Sequence, residues 1–282
     1  MLIAGAAGGT GSGAIATVTR QLKERYIEKP TYNLIVLPFR HEEETEGRTV
    51  YNAATCLKSA YLVADAVFLV NNQRYISKDF SVKSNLANIN ALIAEPFYNL
   101  LCAGEEIKPQ YIGSRILDAG DIIQTLAGWT VIGYSKQQIR RIRRMKNPFD
   151  FRDKTAESQR AAQVIDKAIT ELSLHCNPAD ANRGLYLISA SPKEMDMNLV
   201  KDLSAYLKHL APEAMIRTGD YPREKGSMNI TVILSELSGV SKIVGYFTQT
   251  IELITYINRK REGREVEYRD LADAFRDIPS LL

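Results

Sequence analysis

Cysteine and histidine are scarce, with three of each in 282 residues. Cys56, Cys102 and Cys176 are an odd number without CxxC or metal-like spacing, which argues against a disulfide framework and a zinc site. They read as reduced thiols of a cytoplasmic protein. His41, His175 and His209 are scattered along the chain, which removes the simplest metal and Ser-His-Asp arrangements. Long hydrophobic runs are missing too: no segment reaches the ~18 uninterrupted apolar residues of a membrane helix. Met1-Leu2-Ile3-Ala4, followed at once by Gly5, is too short for a signal peptide, so no membrane insertion is expected. Nor is there an excess of one charge. Lys and Arg number 36 against 33 Asp and Glu, a net +3 that is too weak a field to imply a nucleic-acid partner. Internal repeats and low-complexity segments are also absent.

What is present is a globular composition, 45% hydrophobic and 24% charged, enough to build a core and too apolar for general disorder. At ~100–200 residues per domain, the length predicts two domains or one large one. Met1–Gly5 predicts a strand, Ala6–Gly13 a glycine-rich loop, and Ala14–Tyr26 a helix with Ile15, Val18, Leu22 and Tyr26 at helical spacing. Asn33–Leu37 predicts a second buried strand stopped by Pro38, and the acidic stretch His41–Gly47 a loop. A helix follows with Ala53, Ala54, Leu57 and Tyr61, and then a third strand at Ala66–Val70. Apolar strands separated by helices predict an α/β fold with a parallel sheet covered on both faces. Beyond it the pattern predicts helices at Leu86–Cys102 and Asp118–Leu126, a strand at Trp129–Tyr134, and a smaller α/β or α+β layer from Ala156 to Leu234. Helices at Val240–Arg261 and Tyr268–Phe275 close the chain. The basic stretch with Arg140, Arg141, Arg143, Arg144 and Lys146 reads as a solvated connection.

Gly8, Gly9, Gly11 and Gly13 fall within six residues, interleaved with Thr10 and Ser12, between a strand and a helix. Glycines in that place let backbone N–H groups approach an anion, and the helix adds the positive end of its dipole. The plainer alternative is a tight turn that packs helix against strand. No Lys-Ser/Thr follows, so the segment is not a Walker A loop. Gly9-x-Gly11-x-x-Ala14 is a minimal dinucleotide fingerprint, and Arg40 after the second strand keeps an NADP-dependent Rossmann oxidoreductase open.

Ala7-Gly8-Gly9-Thr10-Gly11-Ser12-Gly13 resembles the GGGTGSG signature of the tubulin/FtsZ superfamily, with Ala7 in place of its first glycine. Similar segments follow in order. Pro38-Phe39 with Glu46-Gly47-Arg48 resembles the PF…EG loop, Asn71-Asn72 the PND segment, Leu117-Asp118-Ala119-Gly120-Asp121 the LDFAD loop, and Arg183-Gly184-Leu185-Tyr186-Leu187 the ARGVLV strand. Tyr51-Asn52-Ala53-Ala54 and LDAGDIIQTL resemble the archaeal CetZ and FtsZ-like branch more than bacterial FtsZ or eukaryotic tubulin. The resemblance implies a Rossmann-like nucleotide-binding sheet, a central helix and a second, smaller domain. It places the C-terminal part of a GTPase domain at 1–127, the second domain at 128–239 and C-terminal helices at 240–282. It also implies that further strands and another phosphate loop precede Met1 in a longer chain, or that half of the GTP site is lacking.

Asp118 and Asp121, three apart at a helix start, read from spacing alone as an N-cap with an acidic N3 residue. The resemblance gives them a second role, orienting and deprotonating the water that hydrolyses GTP bound to the next subunit of a head-to-tail polymer. It further implies GTP/GDP with Mg²⁺ as cofactors, phosphate contacts from Gly8, Gly9, Thr10, Gly11, Ser12 and Gly13, and a γ-phosphate contact from Arg48. Glu46 would hold a ribose hydroxyl, and Asn90, with Asn88 competing, would read guanine through its amide. A non-catalytic structural protein of the same fold, with a degenerate site, is the second reading.

Overall fold

A strand that is apolar on both faces is stable only where helices cover a sheet from both sides, and the runs at 33–37 and 66–70 do lie in such a sheet. The computed structural model describes residues 1–76, 82–104, 113, 115–138, 162–191, 197–223 and 227–262. In chain order the elements are β1 (Leu2–Gly5), α1 (Gly9–Arg25), β2 (Tyr32–Leu37), α2 (Arg40–Thr45), α3 (Gly47–Val63), β3 (Ala66–Asn71), α4 (Val82–Gly104) and α5 (Ala119–Thr125). There follow β4 (Gly128–Gln138), α6 (162–170), β5 (Ala181–Ser189), α7 (Met197–Leu210), β6 (Met215–Asp220), β7 (Ser227–Leu237) and α8 (Ser241–Glu262). The basic cluster at 140–146 and the helix expected at Tyr268–Phe275 lie outside the described residues.

The chain forms two compact units, Met1–Lys78 with Gly239–Leu282, and Asp79–Ser238. In the first, β1, β2 and β3 pair in parallel, with Leu2 opposite Asn33 and Tyr32 opposite Ala66. Their carboxyl ends therefore lie along one edge, where open parallel sheets hold ligands. α3 is the most deeply seated helix, with Ala53, Ala54, Cys56, Leu57 and Ala60 inaccessible to solvent. Burial pushes the Cys56 thiol up to about 12, which leaves it protonated and inert. α8 packs on α3, and the Thr250 hydroxyl donates to the Val50 carbonyl at 3.4 Å.

Two expectations for this unit are corrected. The glycines 9–13 are the first turns of α1 and not a loop before it. Residues 40–45 are helical because Glu42 accepts from the Phe39 N–H at 2.7 Å, and because Glu43 accepts from Lys242 Nζ at 2.7 Å and from the Tyr246 hydroxyl at 2.5 Å. Those last partners sit about 200 residues away in sequence, where no local pattern can announce them.

The second unit holds a mixed sheet in the order β4-β7-β5-β6, antiparallel except between β5 and β6. Gly133 allows α6 to lie directly on β4: a Cβ there would fall 2.1 Å from the Ala168 carbonyl oxygen. α4 runs through Pro96, which costs the helix one hydrogen bond at the exposed turn of Leu92. Cys56, Cys102 and Cys176 form no disulfide. Among the described residues no helix is long and apolar enough to cross a membrane.

Candidate functional site

α1 begins without any of the side chains that usually close a helix N-terminus. Its N-cap is Gly8, in extended conformation, with no side-chain cap and no acid in the first turn. The N–H groups of Gly9, Thr10 and Gly11 meet no acceptor among the described residues. A Cβ built on Gly8, Gly9 or Gly13 would meet nothing within 4 Å, and none of these glycines has positive φ. Neither packing nor backbone conformation therefore requires glycine at these positions. Gly11 differs, since a Cβ there would sit 3.3 Å from the Gly5 carbonyl oxygen and 3.5 Å from Ala4 Cβ. The packing-turn alternative thus accounts for one glycine in four. The others stand in open space at the positive end of a helix, where three N–H donors have no acceptor among the described residues.

Neighbouring elements hold this turn in place. The Ala6 N–H donates to the Val36 carbonyl at 2.9 Å, and Asn52 Nδ2 on α3 donates to the Ala7 carbonyl at 3.0 Å. Ser12 is buried and turns its hydroxyl inward to the Gly8 carbonyl. Thr10 is exposed. Arg48, four residues before Asn52, shares its face of α3 one turn nearer the N-terminus and is exposed. Glu46 is exposed at the junction of α2 and α3, and its carbonyl accepts from the Thr49 N–H at 2.9 Å.

The second unit carries the carboxylates on a helix end of opposite character. Asp118 caps α5, with Oδ1 accepting from the Asp121 N–H at 2.7 Å. Gly120 leaves room for this, because a Cβ there would stand 3.1 Å from Asp118 Oδ1. Asp121 Oδ1 accepts from Arg217 Nε on β6 at 3.1 Å. The cap predicted from spacing is present, and each carboxylate keeps its Oδ2 without a partner among the described residues. Asn90 is exposed on α4, while the side chain of Asn88 lies outside the described residues.

Residues 79–252 match the family described as "Tubulin-like CetZ, C-terminal domain", and residues 1–78 match "Tubulin/FtsZ family, GTPase domain". The chain belongs to the tubulin-like CetZ family. It is 26% identical to tubulin-like protein CetZ3 of Haloferax volcanii over 280 residues, covering 96% of this chain and 71% of that one. Against CetZ1 of the same organism identity is 27% over 257 residues, covering 86% and 64%. The chain thus spans about two thirds of the length of these CetZ relatives. A solved structure described as CetZ2 from Haloferax volcanii, GTPγS bound protofilament, superposes with TM-score 0.74 at 25% identity, over 91% of this chain and 70% of that one.

Membership in the CetZ family overturns the oxidoreductase alternative. Arg40, on which an NADP site depended, pairs with Glu44 at 2.9 Å one turn along α2. Two residues bonded to the candidate segments escaped the motif reading. Asn52 lies inside the quoted Tyr51-Asn52-Ala53-Ala54 segment, where an asparagine in an otherwise apolar helical stretch was the available signal. Arg217 stands 96 residues from Asp121 and gives no signal in sequence.

Proposed function

We propose that this chain is a cytoskeletal GTP-binding protein that holds guanine nucleotide at the N-terminal turn of α1 and assembles head to tail. Asp118 and Asp121 of one subunit then serve the nucleotide of the next. The observation that carries the reading is the uncapped N-terminus of α1, where the N–H groups of Gly9, Thr10 and Gly11 have no acceptor among the described residues and Gly8, Gly9 and Gly13 stand in open space. Phosphate oxygens would accept from those N–H groups, and the helix dipole and Arg48 would add positive charge. Glu46 would accept from a ribose hydroxyl. Mg²⁺ arriving with the nucleotide phosphates would neutralise charge on the transferred group.

Hydrolysis needs a water aligned behind the γ-phosphorus. The free Oδ2 atoms of Asp118 and Asp121 would orient that water and take its proton as the new P–O bond forms and the bond to the β–γ bridging oxygen breaks. The products are GDP and inorganic phosphate. A heterologous contact that does not close gives a filament and brings each such carboxylate pair to a neighbour's nucleotide. Support comes from the relative solved as a GTPγS-bound protofilament.

The test is chromatography of nucleotide released from the purified protein, with sedimentation in the presence and absence of GTP. Guanine nucleotide and GTP-dependent pelleting are expected. A protein that carries none, binds no fluorescent GTP analogue and pellets equally without GTP is a non-catalytic structural member of the fold.

A further inference from the structure

The hydrogen bonds around α5 single out a residue that no motif contains. Arg217 reaches from β6 to α5 and divides its guanidinium among three acceptors. Nε donates to Asp121 Oδ1 at 3.1 Å, Nη2 donates to Gln124 Oε1, and Nη1 donates to Met215 Sδ on its own strand at 3.7 Å. The contact with the carboxylate is single-pointed and not a fork onto both oxygens, so Asp121 Oδ2 is left without a donor among the described residues. Two further bonds fix the far end of the same helix. Arg183 Nη1 on β5 donates to the Gln124 carbonyl at 2.8 Å, and the Ser235 hydroxyl on β7 donates to the Thr125 carbonyl at 2.5 Å, while Arg183 Nε also pairs with Glu236 on β7 at 2.7 Å. Glu236 itself is held at φ 53°, a conformation rare for a residue with a Cβ, with its N–H donating to the Ala127 carbonyl at 2.8 Å.

Strands β5, β6 and β7 thus fasten a helix of seven residues, too short to be rigid by itself. Of these strand-to-helix bonds, the one from Arg217 Nε is the one that acts on a carboxylate of α5, whereas those from Arg183 and Ser235 act on its backbone carbonyls. A carboxylate free to rotate would present either oxygen, or both, to an approaching water. One oxygen tied to a guanidinium presents the other in a fixed direction.

We propose that Arg217 is a positioning residue for hydrolysis: it pins Asp121 Oδ1 so that Oδ2 faces the attacking water. The inference rests on the hydrolytic role proposed above for Asp121. A misdirected general base about 1 Å out of place typically costs on the order of a hundredfold in rate, and loss of an orienting partner about tenfold to a hundredfold.

The experiment uses the full chain with GTP and measures phosphate release per pelleted subunit, KM for GTP and sedimentation for Arg217→Ala, Arg217→Lys, Asp121→Asn and the double variant Asp121→Asn/Arg217→Ala. Arg217→Ala is expected to lower kcat by about tenfold or more with KM and pelleting unchanged. Added free guanidinium at low millimolar concentration should restore part of it. Lysine, lacking the planar fork, should give an intermediate rate. The double variant should be no slower than Asp121→Asn, because the arginine acts through that carboxylate. Arg217→Ala turning over at the parental rate while Asp121→Asn is slowed overturns the proposal, as does a loss of turnover matched by an equal loss of pelleting. Where Arg217→Ala is insoluble, Arg217→Lys decides by the same two criteria. Asp121→Asn at the parental rate would instead remove the hydrolytic role of Asp121, and the proposal with it.

Discussion

The N-termini of α1 and α5 are the same object treated in opposite ways. Both follow extended backbone, both begin near small residues, and both carry the half-positive end of a helix dipole. α5 consumes that field internally: Asp118 caps it, Asp121 adds a second charge in the first turn, and Gly120 is small because the capping carboxylate needs its space. α1 leaves its field unspent, with a glycine cap and three donors that have no acceptor among the described residues. One end is capped within its own helix. The other has room for an anion. That difference is what the proposed division of labour requires, with phosphate at one helix end and carboxylates supplied by the other.

The comparison breaks most decisively at the α1 glycines. Gly9→Ala and Gly13→Ala put a methyl group into space that is empty in the protein alone, so folding should be unharmed. Gly13, inside the helix, should gain about 0.5–1 kcal/mol. Binding of a fluorescent GTP analogue should nevertheless fall by about a hundredfold or more, about 2.7 kcal/mol, because the methyl groups occupy the phosphate cradle. Gly11→Ala should behave differently and lose about 1 kcal/mol of stability against the Gly5 carbonyl. Equal losses of Tm in all three variants would mean that the glycines serve packing only.

In the second unit a glycine exists for the fold and not for a ligand. Gly133→Ala drives a Cβ to 2.1 Å from a backbone oxygen of α6, which cannot rotate away. A loss of about 1–3 kcal/mol or more is expected, read as a lower urea midpoint with an unchanged slope. A smaller effect comes from exchanging the characters of the two helix ends. Asp118→Ala should cost about 1 kcal/mol through the lost cap. Gly8→Asp should give α1 an internal cap, raise stability by a few tenths of a kcal/mol and abolish nucleotide binding by placing a carboxylate where phosphate is to sit. A Gly8→Asp protein that still binds GTP analogue would remove α1 from the site.

Most of the fold could be read from sequence because its signals are local. The strands at 33–37 and 66–70 announce themselves as apolar runs, and Asp118 with Asp121 announces a cap through spacing alone. The failures share a cause. Glycines 9–13 read as a loop because glycine is a poor helix former, yet α1 extends through them, with Gly11 seated against β1 and Ile15, Ala16 and Thr19 buried beyond. The acidic residues 41–45 read as a loop because the partners of Glu43 stand on α8. Arg217 was invisible for the same reason: an arginine in the middle of a strand carries no mark of what it points at. Tertiary contacts overrode propensity in each case, and two of them fall on residues proposed for function.

The smallest expected effect compares two half-buried tyrosines. Tyr32, in the first unit, is pushed up to about 12 by burial and then by the Asp65 carboxylate, and its hydroxyl oxygen is buried without a hydrogen-bond partner among the described residues. Tyr134, in the second, is also raised, by burial first and then by Glu95, but its hydroxyl donates to Glu95 Oε1 at 2.9 Å. A raised phenol pKa means that the unfolded chain loses its proton first. The stability is therefore intact below pH ~10 and declines as pH rises toward about 12 for Tyr32. Tyr32→Phe removes that alkaline decline and also an unsatisfied polar atom, so stability at neutral pH should be unchanged or slightly raised. Tyr134→Phe should flatten the decline as well, but at a cost of about 1 kcal/mol at neutral pH, because it leaves Glu95 without the donated hydrogen bond. Thermal melts of both variants at pH 7 and pH 10.5 separate the two outcomes, and a destabilised Tyr32→Phe at pH 7 would show that its hydroxyl has a partner after all.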